Sequence, residues 1–201
     1  MSPMETDARS RILDAAVALL ETEGLAALSM REVARRAGLS HQAPYHHFGD
    51  REAILAALVE AGFWELKAAL AAHRQASCLS ERLTGQGLAY VTFALRRPAH
   101  FRLMFRPELV QVGKFPAAEQ AAGGAFSELE AMVLAIRPSL GCHAESDPLI
   151  SLHWSLVHGL AQLLLDGPLS ARFSGVEARL AHAEEVLRVH ARLILGESLD
   201  R

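Results

Sequence analysis

Apolar residues recur at helical spacing from one end of the chain to the other, and the polar residues between them mark where each helix starts and stops. Ile12, Ala16, Leu19 and Leu20 fall on one face of a first helix, with Asp7 as its cap and Gly24 as a left-handed terminator. Leu25 and Leu28 lead to Ser29-Met30-Arg31-Glu32, a capping box in which the Ser29 hydroxyl accepts from the Glu32 amide. The short helix it opens turns Val33, Ala34 and Ala37 inward and ends at Gly38. Leu39 follows as a core position, and Ser40 caps a third helix holding His41 to His47, with Phe48 as core. Pro44 is tolerated there because it lies in the first turn, where its missing amide has no partner to lose. Asp50 then caps a fourth helix that runs to about His73.

The remainder reads the same way. A helix is predicted over Leu79–Arg96, a short one from Pro98 to Phe105, and a loop over 106–116. A helix over Ala117–Arg137 carries a kink at Gly123-Gly124 and stops at Pro138. Asp147-Pro148 opens a long helix through Leu165, and Ser174-Gly175-Val176-Glu177 is a second capping box, for a last helix to about Leu195. The fold class is therefore all-α, with about nine helices. Composition agrees: Ala and Leu supply 67 residues, against 20 for Val, Ile and Thr. The longest apolar run, Ala53–Val59, is far short of the roughly 18 residues a membrane span needs. The N-terminus has no signal-peptide pattern, so the expectation is a soluble, cytoplasmic protein without a membrane partner. Cys78 and Cys142 read as two reduced, mostly buried thiols. No nucleophile stands beside a base, and no metal-ligand spacing or phosphate-binding glycine loop appears. No catalytic residue, metal or cofactor is expected.

Two short helices joined at a glycine, the second of them polar, form a helix-turn-helix. The overall charge of −3 gives no general attraction to nucleic acid. Residues 1–51 hold six arginines against seven acids, so DNA binding has to rest on the local pattern. That pattern is specific. The stretch from Gly24 to Leu55, GLAALSMREVARRAGLSHQAPYHHFGDREAIL, resembles the tetracycline-repressor (TetR) family of bacterial transcription regulators. Ser29, Ala37-Gly38, Ser40, Tyr45, Phe48 and Arg51-Glu52 carry the likeness. Ser29 and Tyr45 offer hydroxyls to phosphate, and Arg51 adds charge. The resemblance implies that Arg31, His41, Gln42, Ala43 and His46 approach base edges. Gln42 suits adenine, Arg31 suits guanine, and the Ala43 methyl suits that of thymine. His47 reads as half-buried beneath the reading helix.

The rest of the chain resembles a subgroup of those regulators whose C-terminal domain is named for its Trp-His-Gly residues, here Trp154, His158 and Gly159. The likeness implies a division into residues 1–52, a three-helix DNA-binding domain, and residues 53–201, a larger helical domain for effector binding and dimerisation. Tyr90, Phe93, Phe101, Met104, Phe126, Trp154 and His158 are the candidate walls of an effector pocket. Long apolar seams on the last two long helices, with Leu156, Leu160, Leu180, Leu187 and Ile194, suit a four-helix contact across a two-fold axis. The implied function is a homodimeric regulator of double-stranded operator DNA, a repressor released by a small hydrophobic effector. A helical enzyme and a small-molecule carrier are the alternatives.

Overall fold

The computed structural model describes residues 3–140 and 145–196, with side chains from residue 7 onward. Among these residues there are ten α-helices and no strand. They are α1 (Pro3–Thr22), α2 (Met30–Ala37), α3 (Ala43–Phe48), α4 (Arg51–Ala71), α5 (Leu79–Arg96), α6 (Pro98–Met104), α7 (Pro116–Ile136), α8 (Ser146–Leu165), α9 (Leu169–Arg172) and α10 (Gly175–Leu195). Contacts gather them into two compact units that interleave along the chain. One comprises Met1–Phe63 with Ala99–Ala121, the other Trp64–Pro98 with Ala122–Arg201. The sequence reading draws a single line after residue 52. Ile54, Leu55, Leu58 and Val59 of α4 are buried within the first unit.

In the first unit α1 begins earlier than expected. Asp7 lies inside the helix instead of capping it, and pairs with Arg11 one turn on at 3.7 Å. Ile12, Ala16 and Leu19 form the fully buried face of α1. Gly24 has φ 77° and ψ 179°, a region that glycine alone uses readily, and a 3-10 turn over Leu25–Ala27 follows it. Phe101 of α6 is buried and meets the Phe105 ring at 5.1 Å. Leu39 and Phe48 are half-buried rather than core.

The second unit is organised around α5, on which α8 and α10 both pack. Gly87 makes the close approach possible. A Cβ at that position would lie 2.6 Å from Cδ2 of Leu187. Leu187 is 1% exposed, and Ala183 and Ala191 on the same face of α10 are fully buried. The apolar seam of α10 therefore faces α5 of its own chain, and Leu160 of α8 is buried as well. Neither Leu187 nor Leu160 is available to a second copy, contrary to the expectation from spacing. Leu156, Leu180 and Ile194 are half-buried, Ile194 against Leu83, Met132, Ile136 and Ala191.

Several end signals resolve differently from the sequence reading. Ser174 makes no side-chain cap, and Glu177 instead accepts from Arg96 of α5 at 3.1 Å. The first residue before α8 is Glu145, so Asp147 lies within the first turn. The four-residue α9 has no counterpart in the sequence reading, and α7 runs unbroken through Gly123-Gly124. Cys78 is exposed, not buried. Its Sγ caps α5 by accepting from the Glu81 amide at 3.4 Å. Cys142 lies outside the described residues. By length and composition α8 could cross a membrane, yet it packs on α5 and carries His153 on its buried side.

His153 joins α8 to α10. Its Nδ1 lies 3.3 Å from Nε2 of His190, with the ring planes 13° apart and the centroids 5.5 Å apart. The rings therefore meet edge to edge through one shared N–H, which requires at least one neutral imidazole. Burial pushes His153 down to about 4, with the neighbouring His190 adding to the effect, and burial lowers His190 too. The unfolded chain then binds protons that the folded chain refuses, so stability falls as pH drops below about 6.5 and continues to fall towards pH 4. At about 1.4 kcal/mol per pH unit, His153 alone should remove about 2 kcal/mol between pH 7 and pH 5. Urea unfolding across that range should show this slope in the wild type. His153→Leu should flatten the slope while lowering stability at pH 7, because the His190 nitrogen loses its partner.

Candidate nucleic-acid interface and an aromatic cluster

The reading head is built from short helices, so its ends matter as much as its middles. Ser29 caps α2 as expected, its Oγ accepting from the Glu32 amide at 3.2 Å. At the other end Gly38 adopts φ 65° and ψ 36°. The Leu39 amide returns to the Ala34 carbonyl at 3.0 Å and the Gly38 amide to Arg35 at 3.2 Å, a Schellman stop. Arg11 supplies donors to two further acceptors at this stop, the Ala37 carbonyl at 2.7 Å and that of Gly38 at 3.2 Å. Arg51 braces the opposite side of α2. Its Nε donates to the Leu28 carbonyl at 2.6 Å and its Nη2 to that of Leu25 at 2.9 Å. Sequence reasoning gives Arg51 to phosphate and overlooks Arg11. Two glycine-broken segments with unpaired carbonyls are the available signal.

The third helix is shorter than predicted. Ser40 contributes its carbonyl, which accepts from the Ala43 amide at 3.0 Å, and the cap position falls to Gln42. Pro44 at the second helical position is buried, which turns the adjacent polar side chains outward. His41, Gln42, Tyr45 and His46 are exposed, Ala43 is half-exposed, and the His41 and Tyr45 rings lie 5.8 Å apart. His47 is half-buried, edge-on to His46. Asp50 caps α4 through a 2.8 Å bond from the Ala53 amide. Arg9 stacks its guanidinium over Phe48, 5.0 Å from the ring centre.

The remaining charges are unequally committed. Arg35 forks onto Glu32 at 2.9 and 2.5 Å, which lowers the Glu32 carboxyl below its usual range. Arg36 is paired with Glu23 and reaches Thr22 at 3.3 Å. Arg31 is exposed on α2, and no hydrogen bond or ion pair holds its side chain among the described residues. An exposed guanidinium, an amide and three rings are thus presented on a rigid two-helix frame, the arrangement that groove reading requires.

In the second unit four of the seven expected pocket residues come together. Tyr90 Oη lies 2.8 Å from His158 Nδ1, the Trp154 ring is edge-on to His158 at 6.2 Å, and Phe126 is edge-on to Trp154 at 6.1 Å. Burial raises the Tyr90 phenol well above its ordinary value, and a hydrogen bond from Trp154 partly opposes this. Burial also lowers His158. Indole N–H can only donate, so Tyr90 accepts from Trp154 while its hydroxyl also shares a hydrogen bond with His158 Nδ1. Phe93 belongs to a different place, a surface cleft of about 660 Å³ with Glu65, Leu88 and Arg97. Phe101 and Met104 are core residues of the first unit, Met104 packing where Gly62 leaves room.

Residues 12–58 match bacterial regulatory proteins of the tetR family, and residues 83–187 match the tetracyclin repressor-like C-terminal domain, more than half of the chain by itself. The chain belongs to the TetR family. It is a DNA-binding transcriptional regulator of that family. The C-terminal match is described by its likeness to tetracyclin repressors, so the narrower Trp-His-Gly assignment rests on the sequence resemblance. Over 82 residues the regulator is 34% identical to the HTH-type transcriptional regulator BetI of Rhizobium meliloti (strain 1021). That match spans 40% of this chain and 40% of that relative. A protein with unknown function from Rhodococcus sp. RHA1 is 29% identical, with a TM-score of 0.75 over 91% of this chain and 94% of that one. The TetR family transcriptional regulator PfmR from Thermus thermophilus shares the fold at 23% identity, with a TM-score of 0.67 over 95% of this chain and 100% of that one.

The different uses of two arginines in this TetR-family regulator give a paired prediction. Arg31→Ala should weaken binding to a genomic operator fragment by roughly 5- to 150-fold, the value of about 1–3 kcal/mol at a base edge. Its unfolding free energy should stay within about 0.5 kcal/mol of wild type. Arg51→Ala should instead lose stability, by about 1–3 kcal/mol for the stranded carbonyls. Fluorescence anisotropy and urea unfolding on both variants separate the two roles.

Proposed function

We propose that this TetR-family regulator is a homodimeric repressor, released from its operator by a small and largely apolar effector. Residues 1–52 read the DNA through Arg31, His41, Gln42, Ala43 and His46, with Ser29, Ser40 and Tyr45 towards the phosphates. Residues 53–201 join the copies and hold the effector. The observation that carries this reading is the exposed face of α2 and α3, in which Arg31 is uncommitted while Arg11 and Arg51 lock the frame.

The outer faces of α8 and α10 support the dimer. Leu152 is 59% exposed and Leu163 43% on α8, and Val189 is 48% and Leu193 63% on α10. Leu152, Leu156, Gly159 and Leu163 follow a 4-3-4 spacing, one stripe of a helix. A glycine inside a helix costs about 1 kcal/mol relative to alanine. Nothing in its own unit approaches within 4 Å of a Cβ built at Gly159, so its own chain does not require it. A second helix lying close against this stripe would. The combined variant Leu163→Asp and Val189→Asp should be a folded monomer by light scattering and should lose operator affinity. A folded dimer would place the interface elsewhere. Leu187→Asp should fail differently, by unfolding the second unit around a buried charge.

The aromatic cluster supports the effector class. Tyr90, Phe126, Trp154 and His158 together offer mostly aromatic surface with few polar groups, which suits a hydrophobic molecule and not a sugar or nucleotide. Tyr90→Phe removes the hydroxyl paired with His158 and should raise the effector concentration needed for release about tenfold, with DNA affinity unchanged. Release by highly charged metabolites alone would overturn the effector class. A gel shift with the DNA upstream of its own gene tests the whole reading. An enzyme or a carrier using the same cluster would leave that DNA unshifted.

A further inference from the structure

Four of the six arginines in residues 1–51 are tied down within their own unit. Arg11 and Arg51 donate to carbonyls, Arg35 pairs with Glu32, and Arg36 pairs with Glu23. Arg31 and Arg9 are left, both exposed and neither engaged by a hydrogen bond or an ion pair among the described residues. Asp7, two positions before Arg9, pairs with Arg11 instead. What holds Arg9 is a ring. Its guanidinium carbon lies 5.0 Å from the centre of Phe48, the last residue of α3. A ring face attracts the cation but leaves its N–H donors to find acceptors elsewhere. The side chain is thus positioned without being satisfied, so little freedom is left to lose when an anion arrives.

The place of that ring says which anion. A reading helix sets its N-terminal residues against base edges. In α3 those are the residues around Gln42 and Ala43, and Phe48 closes the same helix. At about 1.5 Å per residue, Phe48 stands about 7.5 Å beyond Ala43 along the axis, close to the roughly 8.5 Å depth of a major groove. The C-terminal end of α3 is therefore carried away from the groove floor towards the rim, where the phosphates run. We propose that Arg9, seated on Phe48, binds a DNA phosphate at that rim and supplies affinity that depends on charge and not on sequence. The proposal rests on α3 being the reader, and it brings α1 into the interface. In a segment with six arginines against seven acids, one uncommitted cation is a large share of the attraction available to a polyanion.

The test uses the full chain and two duplexes of equal length, one from the DNA upstream of its own gene and one of random sequence. Binding is followed by fluorescence anisotropy between about 50 and 200 mM sodium chloride. Arg9→Ala should weaken both duplexes by the same factor and lower the slope of log K against log salt by about 0.9 for each head bound. The preference for the upstream duplex should not change. Arg9→Gln keeps the stem over Phe48 without the charge and should lose the same slope, which retains the test if Arg9→Ala does not fold. Arg9→Lys should keep the slope. A wild-type slope in either folded, uncharged variant would overturn the proposal and leave Arg9 as a packing residue. Loss confined to the upstream duplex would also overturn it, by making Arg9 a base contact. Arg31→Ala separates this proposal from the reading it rests on. If Arg31→Ala loses the preference while Arg9→Ala keeps the wild-type slope, only the phosphate contact falls. If neither variant changes binding, α3 is not the reader and both fall.

Discussion

Short helices end before they have satisfied their own backbone, and the reading head depends on how those ends are met. The segment between α1 and α4 stops and restarts three times within about thirty residues, at Gly24, Gly38 and Gly49, each with positive φ. Two long-range guanidinium groups take up carbonyls left by these breaks, Arg11 from α1 and Arg51 from α4. Local capping by Ser29 and Asp50 sets where α2 and α4 begin, and these long-range bonds, with the Arg36–Glu23 pair and the buried apolar faces, fix how the pieces lie against one another within the unit. The low arithmetic charge of the first fifty residues is then less puzzling. Arg11, Arg36 and Arg51 serve the frame, Arg9 lies over Phe48, Arg35 is exposed but paired with Glu32, and Arg31 is exposed with no hydrogen bond or ion pair among the described residues.

The helices themselves are legible in the sequence because their signals are local. An amphipathic run bounded by Pro98 gives α5 its span of Leu79–Arg96, and the order of caps and glycines between Ser29 and Asp50 gives the helix-turn-helix. Where local signals fail, a distant group has outcompeted them. The second capping box does not form because Arg96 draws Glu177 away, and Arg51 reads as a phosphate contact because nothing in the sequence announces a carbonyl more than twenty positions upstream.

The apolar seam of α10 shows a different limit. Periodicity identifies a buried face but not the partner that buries it. Leu187 fits a dimer contact and a core contact equally well by spacing, and the decision lies with Gly87 on α5, a residue without a side chain. The same reasoning turns around at Gly159, where open space at the Cβ position and flanking leucines mark the outward face of α8. The candidate effector residues divide for a related reason, since Phe101 and Met104 share apolar character with Tyr90 and Trp154 but belong to another unit.

The braces from Arg11 and Arg51 also decide how the head responds to salt. Both are hydrogen bonds from partly buried guanidinium groups to neutral carbonyls, so dissolved ions have little opposite charge to screen. A cationic side chain set against the DNA phosphates is the reverse case, since it releases a counterion and weakens as the ionic strength rises, whereas a neutral hydroxyl at a phosphate releases none. The frame and its ligand contacts therefore sit on different electrostatic footings. A plot of binding constant against salt for this protein reads the charged contacts with the DNA, with the geometry of the reader held constant beneath it.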